Sequence, residues 1–361
     1  MFRLFFFISY LPLLIYIYLR CKKLFITTLT RRAFALLFIF FALAFPVLDF
    51  LGHQIDNSSL DVLIQIGFYT QPYLLYLLFS VLLSDLGHLL FRFQRRQWPV
   101  IVFIFLFPLL IVIGGAWKFN HIVVNSYSLS LPARETSLKN LRVVFAADFH
   151  LRGHSELKAL REFVEKSNAL KPDLVLLPGD IIEGDRHNEE MPEIEEAFRQ
   201  LKSTYGTFAV FGNHETYGQE ISLEFYKKAN ITLLRDQIFI IKDAITLVGR
   251  DDLRLKTRKD FSLLEKEIPT NLPIIMLDHR PNDFKKVSLD GIDIQVSGHT
   301  HHGQIFPFNF ITKAMYDLSY GVKQIGRTHF FVTSGLRGWG PQVRTSGDAE
   351  LVKIDIEFKR P

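Results

Sequence analysis

The chain has 361 residues, 48% of them hydrophobic and 35 of them Phe, which is enough to bury a large core. Its formal charge of +5 belongs to the first third: residues 1 to 118 hold 10 Lys or Arg against 4 Asp or Glu, leaving 32 basic and 33 acidic residues of the totals of 42 and 37 for the remainder. A nearly neutral remainder carries no electrostatic footprint for nucleic acid, and one cysteine, Cys21, excludes an internal disulfide framework.

Four apolar runs come first, near residues 4 to 19, 33 to 51, 67 to 90 and 99 to 117. The last three reach the roughly 20 residues that a membrane-crossing helix needs. The first is short and follows Arg3, as in a signal peptide, but Arg20, Cys21, Lys22 and Lys23 stand where a small-residue cleavage site belongs, so it reads as an uncleaved span. Arg20, Lys22, Lys23, Arg31 and Arg32 lie between the first and second runs and Arg92, Arg95 and Arg96 between the third and fourth, whereas residues 52 to 66 hold neither Lys nor Arg. The positive-inside rule makes both basic loops cytoplasmic and puts everything after about residue 118 outside, on condition that the first run spans. Asp85 and His88, near the basic end of the third run, read as interfacial rather than as a proton path. Aromatic residues such as Phe5, Phe6, Phe7 and Phe40 read as lipid-facing and packing surface.

Residues 1 to 118 are thus a transmembrane region, 119 to 140 a linker or edge strand, and 141 to 361 one soluble domain. Strand-like runs are expected at 141 to 147, 173 to 178, 207 to 211, 238 to 241, 245 to 248, 273 to 277, 292 to 296, 329 to 333 and 351 to 358. Helical spacing is expected at 156 to 170, 190 to 201, 222 to 229 and 261 to 267. Early alternation followed by direct pairing of strands predicts a layered α/β sandwich.

Five of these runs end in polar blocks: Asp148-Phe149-His150, Gly179-Asp180, Gly212-Asn213-His214-Glu215, His279, and Gly298-His299-Thr300-His301-His302-Gly303-Gln304. Ligands of α/β sheets sit beyond the carboxyl ends of strands, where all five fall. The glycines before the candidate ligands let the backbone turn sharply out of the strand. An Asp, Asn and His set without Cys suits Mn, Fe or Zn. A single such residue is more often a turn or cap residue, but five ordered blocks outweigh that reading. His154, His187 and His329 lie outside the blocks and read as structural or solvated; Asp251 and Asp252 read as a turn; Arg337 and Arg344 are open to a phosphate contact or a structural salt bridge.

The blocks resemble those of the calcineurin-like metallophosphoesterases, whose motifs are D-x-H, G-D, G-N-H-D/E, H and G-H-x-H, and in particular a membrane-associated branch with G-H-T-H-G-G-Q. His302 replaces the first glycine of that pair, and Ala349 stands before Glu350 where the branch usually has proline. The resemblance covers roughly residues 141 to 358 and implies a four-layer α/β/β/α sandwich behind a four-helix transmembrane region. It implies two divalent ions, one held by Asp148, His150 and His301 and the other by Asn213, His279 and His299, with Asp180 bridging through its two oxygens. Such ions share a hydroxide that attacks phosphorus in line. His214 is the catalytic residue implied, protonating the leaving oxygen with its ring oriented by Glu215. His302, Arg344 and Glu215 are the candidate substrate contacts.

The function expected is hydrolysis of a phosphodiester or pyrophosphate bond in a lipid-linked or surface substrate, by an enzyme of the cell membrane whose catalytic domain is extracytoplasmic. Two alternatives stand beside it: hydrolysis of a nucleotide-linked glycolipid precursor such as UDP-diacylglucosamine, and a metal-binding membrane sensor without catalysis. The oligomeric state is not legible.

Overall fold

The computed structural model describes residues 2–52, 58–92, 97–151, 154–183, 191–217 and 223–360. Arg95, Arg96 and His187 lie outside them, as do the side chains of Phe5, Phe6, Phe7 and His154. The chain forms two compact units, Met1–Trp117 with Trp339–Thr345, and Lys118–Gly338 with Ser346–Pro361.

The first unit holds helices α1 (Phe2–Lys22), α2 (Thr28–Gly52), α3 (Ser58–Phe91) and α4 (Trp98–Phe119). Among the described residues three segments are long and apolar enough to cross a membrane: Thr28–Leu48, Ile66–Phe91 and Trp98–Phe119. The first of the four expected spans, residues 4 to 19, is not among these segments. That run lies in α1, which ends in Arg20 and Lys22. Leu14, Ile17, Phe34, Phe38, Leu74 and Ile104 pack into the unit's core, while Leu36, Phe40, Leu83 and Ile113 face outward and exposed. Asp85 accepts a hydrogen bond from Tyr16 Oη at 2.7 Å and pairs with Arg20, which gives this acid a cation at the basic end of α1. The return segment Trp339–Thr345 belongs here: Arg344 N–H donates to Gly115 O at 2.9 Å, and Thr345 Oγ1 lies 2.5 Å from Tyr76 Oη.

The second unit is built on two six-stranded sheets. Its strands are β1 (Ile122–Pro132), β2 (Asn140–Phe145), β3 (Leu174–Pro178), β4 (Thr207–Val210), β5 (Thr232–Leu233), β6 (Gln237–Ile241), β7 (Ile245–Gly249), β8 (Ile274–Leu277), β9 (Ile294–Ser297), β10 (Gly321–Ile325), β11 (Thr328–Val332) and β12 (Ala349–Lys359). The sheet orders are β1-β12-β2-β3-β4-β5 and β10-β11-β9-β8-β7-β6. The stretch expected as linker or edge strand contains β1, an edge strand parallel to β12 from Ile122↔Ala349 to Pro132↔Lys359.

Period-two alternation decides the layers. Val143, Phe145, Leu174, Leu176, Phe208 and Val210 of one sheet meet Leu247, Ile275, Leu277, Ile294, Val296 and Phe331 of the other in a shared core. Each such side chain contributes about 1.5–3 kcal/mol by leaving water. The alternate residues Val144, Val175, Leu177 and Ala209 face helices α5 (His154–Ala169), α6 (Met191–Arg199) and α7 (Leu223–Lys228). On the far side Val248, Ile274, Met276 and Phe330 pack with Phe261 of α8 (Phe261–Glu265) and with Phe284 and Val287 of α9 (Phe284–Leu289). The result is a four-layer α/β/β/α sandwich. A further helix, α10 (Phe308–Met315), follows the last polar block and buries none of its residues.

Candidate metal centre

Strands β2, β3 and β4 run parallel in one sheet, and β8 and β9 in the other, so five carboxyl ends open at one rim. Backbone bonds lock the rim together: His150 N–H donates to Asp180 O at 3.0 Å, Gly298 N–H to His279 O at 2.9 Å, and Arg337 N–H to Asp148 O at 3.0 Å. Asp148, His150, Asp180, His299 and His301 all have positive φ, between 48° and 73°. The left-handed region is uncommon for such residues and costs of order 1 kcal/mol or more each. Five candidate ligands held that way mark a geometry imposed by the surrounding backbone.

The glycines serve two purposes. Gly179 has φ +86, as a sharp turn requires, but for Gly212 and Gly298 the reason is space. A Cβ on Gly212 would sit 2.1 Å from Asp180 Oδ1, and one on Gly298 would sit 2.5 Å from Asp148 Oδ2.

Among the described residues three donor groups could hold an ion: one is His150, Glu183 and His214, and the other two are built from the expected ligands. Asp148, His150 and His301 bring donor atoms together, with His150 Nε2 3.2 Å from His301 Nε2 and His301 Nε2 3.6 Å from Asp148 Oδ1. Asp180, His279 and His299 form the other, with His279 Nε2 3.1 Å from Asp180 Oδ2. Asp180 Oδ2 also lies 3.9 Å from His150 Nε2, while Oδ1 accepts the His214 backbone N–H at 2.8 Å. Of the two Asp180 oxygens expected to bridge, one faces both groups and the other accepts a backbone hydrogen bond. Asn213 stands just past the end of β4, after Gly212. Its Nδ2 donates to Tyr217 Oη at 2.9 Å, and its buried Oδ1 has no hydrogen-bond partner among the described residues.

Glu183, which the sequence reading missed, joins two key rings. Its Oε1 lies 2.9 Å from His150 Nδ1 and its Oε2 2.8 Å from His214 Nδ1. With the proton on each Nδ1, both Nε2 atoms remain available, the arrangement that orients a metal-binding or acid–base histidine. A signal existed: an acidic residue directly after Ile181-Ile182, three positions past a ligand, needs partners if buried.

Glu215 is not the carboxylate on the His214 ring, a place that Glu183 takes. It is 1% exposed and accepts backbone N–H groups of Asp180 at 3.0 Å, Ile181 at 2.5 Å and Gly212 at 2.7 Å, so it ties the β3 and β4 ends together. Arg344 is fully buried, and its backbone N–H is bonded to Gly115 within the helical unit. His302 is half-buried, its Nδ1 3.0 Å from Ser319 Oγ and its ring against Tyr320. Asp252 is an ion-pair partner, bound at 2.8 and 3.1 Å by Arg280, the residue after His279. Asp251 binds Arg235 at 3.0 and 2.9 Å. Arg337 lies over Phe119 and donates to Asn120 Oδ1 at 3.0 Å.

The charges need a cation. Burial pushes the Asp148 carboxyl up to about 6, offset by His279, with the charge of Asp180 adding to the rise. Burial works the same way on Asp180, yet the charge and contact of His279 hold it well below the usual range. His279 in turn is raised against its own burial to about 10 by Asp180, whereas burial and the positive charges of His279 and Arg280 drive His299 down to about 3. Among these side chains alone, one imidazolium supplies the positive charge that two buried carboxylates require. Divalent ions would supply it with every imidazole neutral, and the ring orientation fits: His279 Nδ1 is 2.8 Å from Pro178 O, which leaves Nε2 to face Asp180. Together with the orphaned Asn213 Oδ1, the donor set suits metal.

Residues 141–303 match the family model for calcineurin-like phosphoesterase. An uncharacterized metallophosphoesterase of Campylobacter jejuni is 28% identical over 96% of this chain and 95% of that one. Metallophosphoesterase YkuE of Bacillus subtilis is 30% identical over 54% of this chain and 71% of its own length. A Danio rerio relative, named a transmembrane protein with metallophosphoesterase domain, is 28% identical over 61% of this chain and 54% of its own. The buried Asp and His side chains on a double-sheet rim, the matching family model and these relatives lead to one conclusion: the chain belongs to the calcineurin-like metallophosphoesterases and is a metal-dependent phosphoesterase.

Proposed function

We propose that the chain is a membrane-attached phosphoesterase with two divalent ions, cleaving a phosphodiester or pyrophosphate bond of a lipid-linked or surface substrate outside the cytoplasm. The observation that carries the chemistry is Asp180 Oδ2, 3.1 Å from His279 Nε2 and 3.9 Å from His150 Nε2, a carboxylate oxygen set between two ligand groups. Asp148, His150 and His301 would hold one ion, and Asn213, His279 and His299 the other, with Asp180 shared; Mn, Fe and Zn all suit these donors. When bound, such a pair supplies Lewis acidity and a water-derived nucleophile at neutral pH.

The remaining work belongs to side chains. His214 is fixed through Nδ1 by Glu183, and that hydrogen bond, with the charges of Asp180 and Glu183, raises its pKa despite burial. It is therefore suited to keep a proton and give it, through Nε2, to the leaving oxygen. Tyr217 packs on His214 with ring centres 4.7 Å apart, and exposed Arg254 lies over Tyr217 at 4.6 Å, placing a cation where a charged substrate would arrive.

Sidedness supports an extracytoplasmic substrate, and it does not depend on α1. From the basic stretch Arg20–Arg32 to the catalytic domain the chain passes three candidate spans, an odd number, whether or not the first helix crosses. Cleavage of a cytoplasmic UDP-linked glycolipid requires the opposite side. Native Cys21 is buried and makes a poor label site. Cysteines at exposed Ile26 and Lys359, in a Cys21→Ser chain, give a cleaner probe; labelling of both from the same side would overturn this topology.

Catalysis is tested with the full chain in nanodiscs and Mn²⁺, assayed on bis-p-nitrophenyl phosphate, p-nitrophenyl phosphate and a lipid pyrophosphate. Turnover of a diester or pyrophosphate, abolished by His214→Ala, is the expected result. No cleavage of any of the three would leave the sensor reading in its place.

A further inference from the structure

We propose that α10, together with Phe306 just before it, is an interfacial helix that beds into the bilayer surface beside the metal centre. None of the eight residues Phe308–Met315 is buried, and exposure reaches 60% at Phe310, 55% at Ile311 and 67% at Met315. At about 100° per residue, Phe308, Phe310, Ile311, Ala314 and Met315 share one arc of roughly 160°, with Asn309, Thr312 and Lys313 opposite. Surface helices of a globular domain turn the apolar arc inward. Here the order is inverted, because Asn309 and Thr312 are half-buried while the apolar arc is exposed.

The helix is also fixed in place. Gln304 N–H donates to His301 O at 2.8 Å, Phe308 N–H to Ile305 O at 2.8 Å, and the Tyr316 ring lies 5.9 Å from that of His299. An apolar face so rigidly joined to two candidate ligands is not a fraying end.

Chain connectivity names the occupant. The last candidate span ends at Phe119 and β1 begins at Ile122, so only Asn120 and His121 intervene. Such a link reaches roughly 10 Å, which keeps a bilayer permanently within range of this domain. Aromatic and aliphatic side chains on one arc with a lysine on the other are the composition of helices that lie in the headgroup boundary, where Lys313 can extend toward lipid phosphates. A phosphoester in that plane would reach the rim without leaving the membrane. The inference rests on the membrane-attached reading above, and its test involves no turnover, so failure of catalysis and failure of docking are distinguishable.

The experiment uses the full chain with Cys21→Ser, reconstituted in phosphatidylethanolamine and phosphatidylglycerol vesicles, with an environment-sensitive fluorophore on Ile311→Cys, Met315→Cys or Lys313→Cys. These sites are exposed, and matching thermal unfolding shows that each variant folds. Blue-shifted emission at 311 and 315, quenched several-fold more than at 313 by doxyl-labelled lipids, is the expected result. Water-like, unquenched emission at all three sites overturns the proposal. So does a blue shift without lipid quenching accompanied by disulfide-linked dimers at 311, which assigns the face to a second copy.

Discussion

Within a span of seventeen residues the chain does two opposite things. At His299–Gln304 polar groups are drawn inward and held at positive φ against Asp148; at Phe306–Met315 large apolar groups are left outside, on a helix that buries nothing. Each arrangement costs free energy in water, the first by desolvating charge and the second by hydrating hydrocarbon. Each becomes favourable only with a partner of the right kind, a cation for the loop and a non-aqueous phase for the helix. The two halves of that contrast can be broken separately.

The largest effect is expected at Asp180. Asp180→Asn removes the shared carboxylate charge, so bound metal should fall measurably by elemental analysis and turnover should drop by more than the roughly 10–100-fold that an outer partner costs. His214→Gln should lower kcat by about 10²–10⁴-fold while leaving metal content intact; a parallel loss of metal would make His214 a ligand rather than an acid.

Glu183→Gln should cost about 10–100-fold, since both rings lose their orienting carboxylate. Its pH profile carries the sharper information. Glu183 helps raise the His214 pKa, and an acid works below its pKa, so activity is retained at low pH and lost as pH rises through that value. Removing the carboxylate lowers the pKa and should move the alkaline limb to lower pH; an unmoved limb would assign Glu183 to His150 alone.

Gly212→Ala tests the crowding of the loop. Its Cβ would fall 2.1 Å from Asp180 Oδ1, and overpacking of this kind costs about 1–3 kcal/mol. Thermal unfolding should report that loss, with weakened metal retention because Asp180 must move. The smallest effect is expected on the other side of the contrast: Ile311→Glu should leave hydrolysis of a soluble diester unchanged and lower, by severalfold, that of a substrate embedded in vesicles.

Much of the catalytic domain was legible because its signals are local. Buried strands announce themselves as apolar runs, and their polar ends at Asp148, Asp180, Asn213, His279 and His299 follow from where sheets place ligands. Short elements escaped for the same reason. β5 spans only Thr232–Leu233, and α9 places two lysines among its six residues, so neither shows a usable period. α10 was passed over because its apolar residues follow no buried pattern. Glu183 and Glu215 were misjudged because adjacency in sequence favoured Glu215 as the partner of His214, whereas its carboxylate turns back onto the Asp180 and Gly212 amides.

By itself the sequence determined the apolar spans, the strand ends and the chemical types of the ligands, because these depend on side-chain polarity and short-range period. The tertiary structure decided which atoms meet. That Asp180 offers one oxygen to both ligand groups, that Glu183 holds two imidazoles, and that α10 turns its apolar arc outward all depend on backbone paths that bring together residues distant in the chain, and no local pattern carries that information.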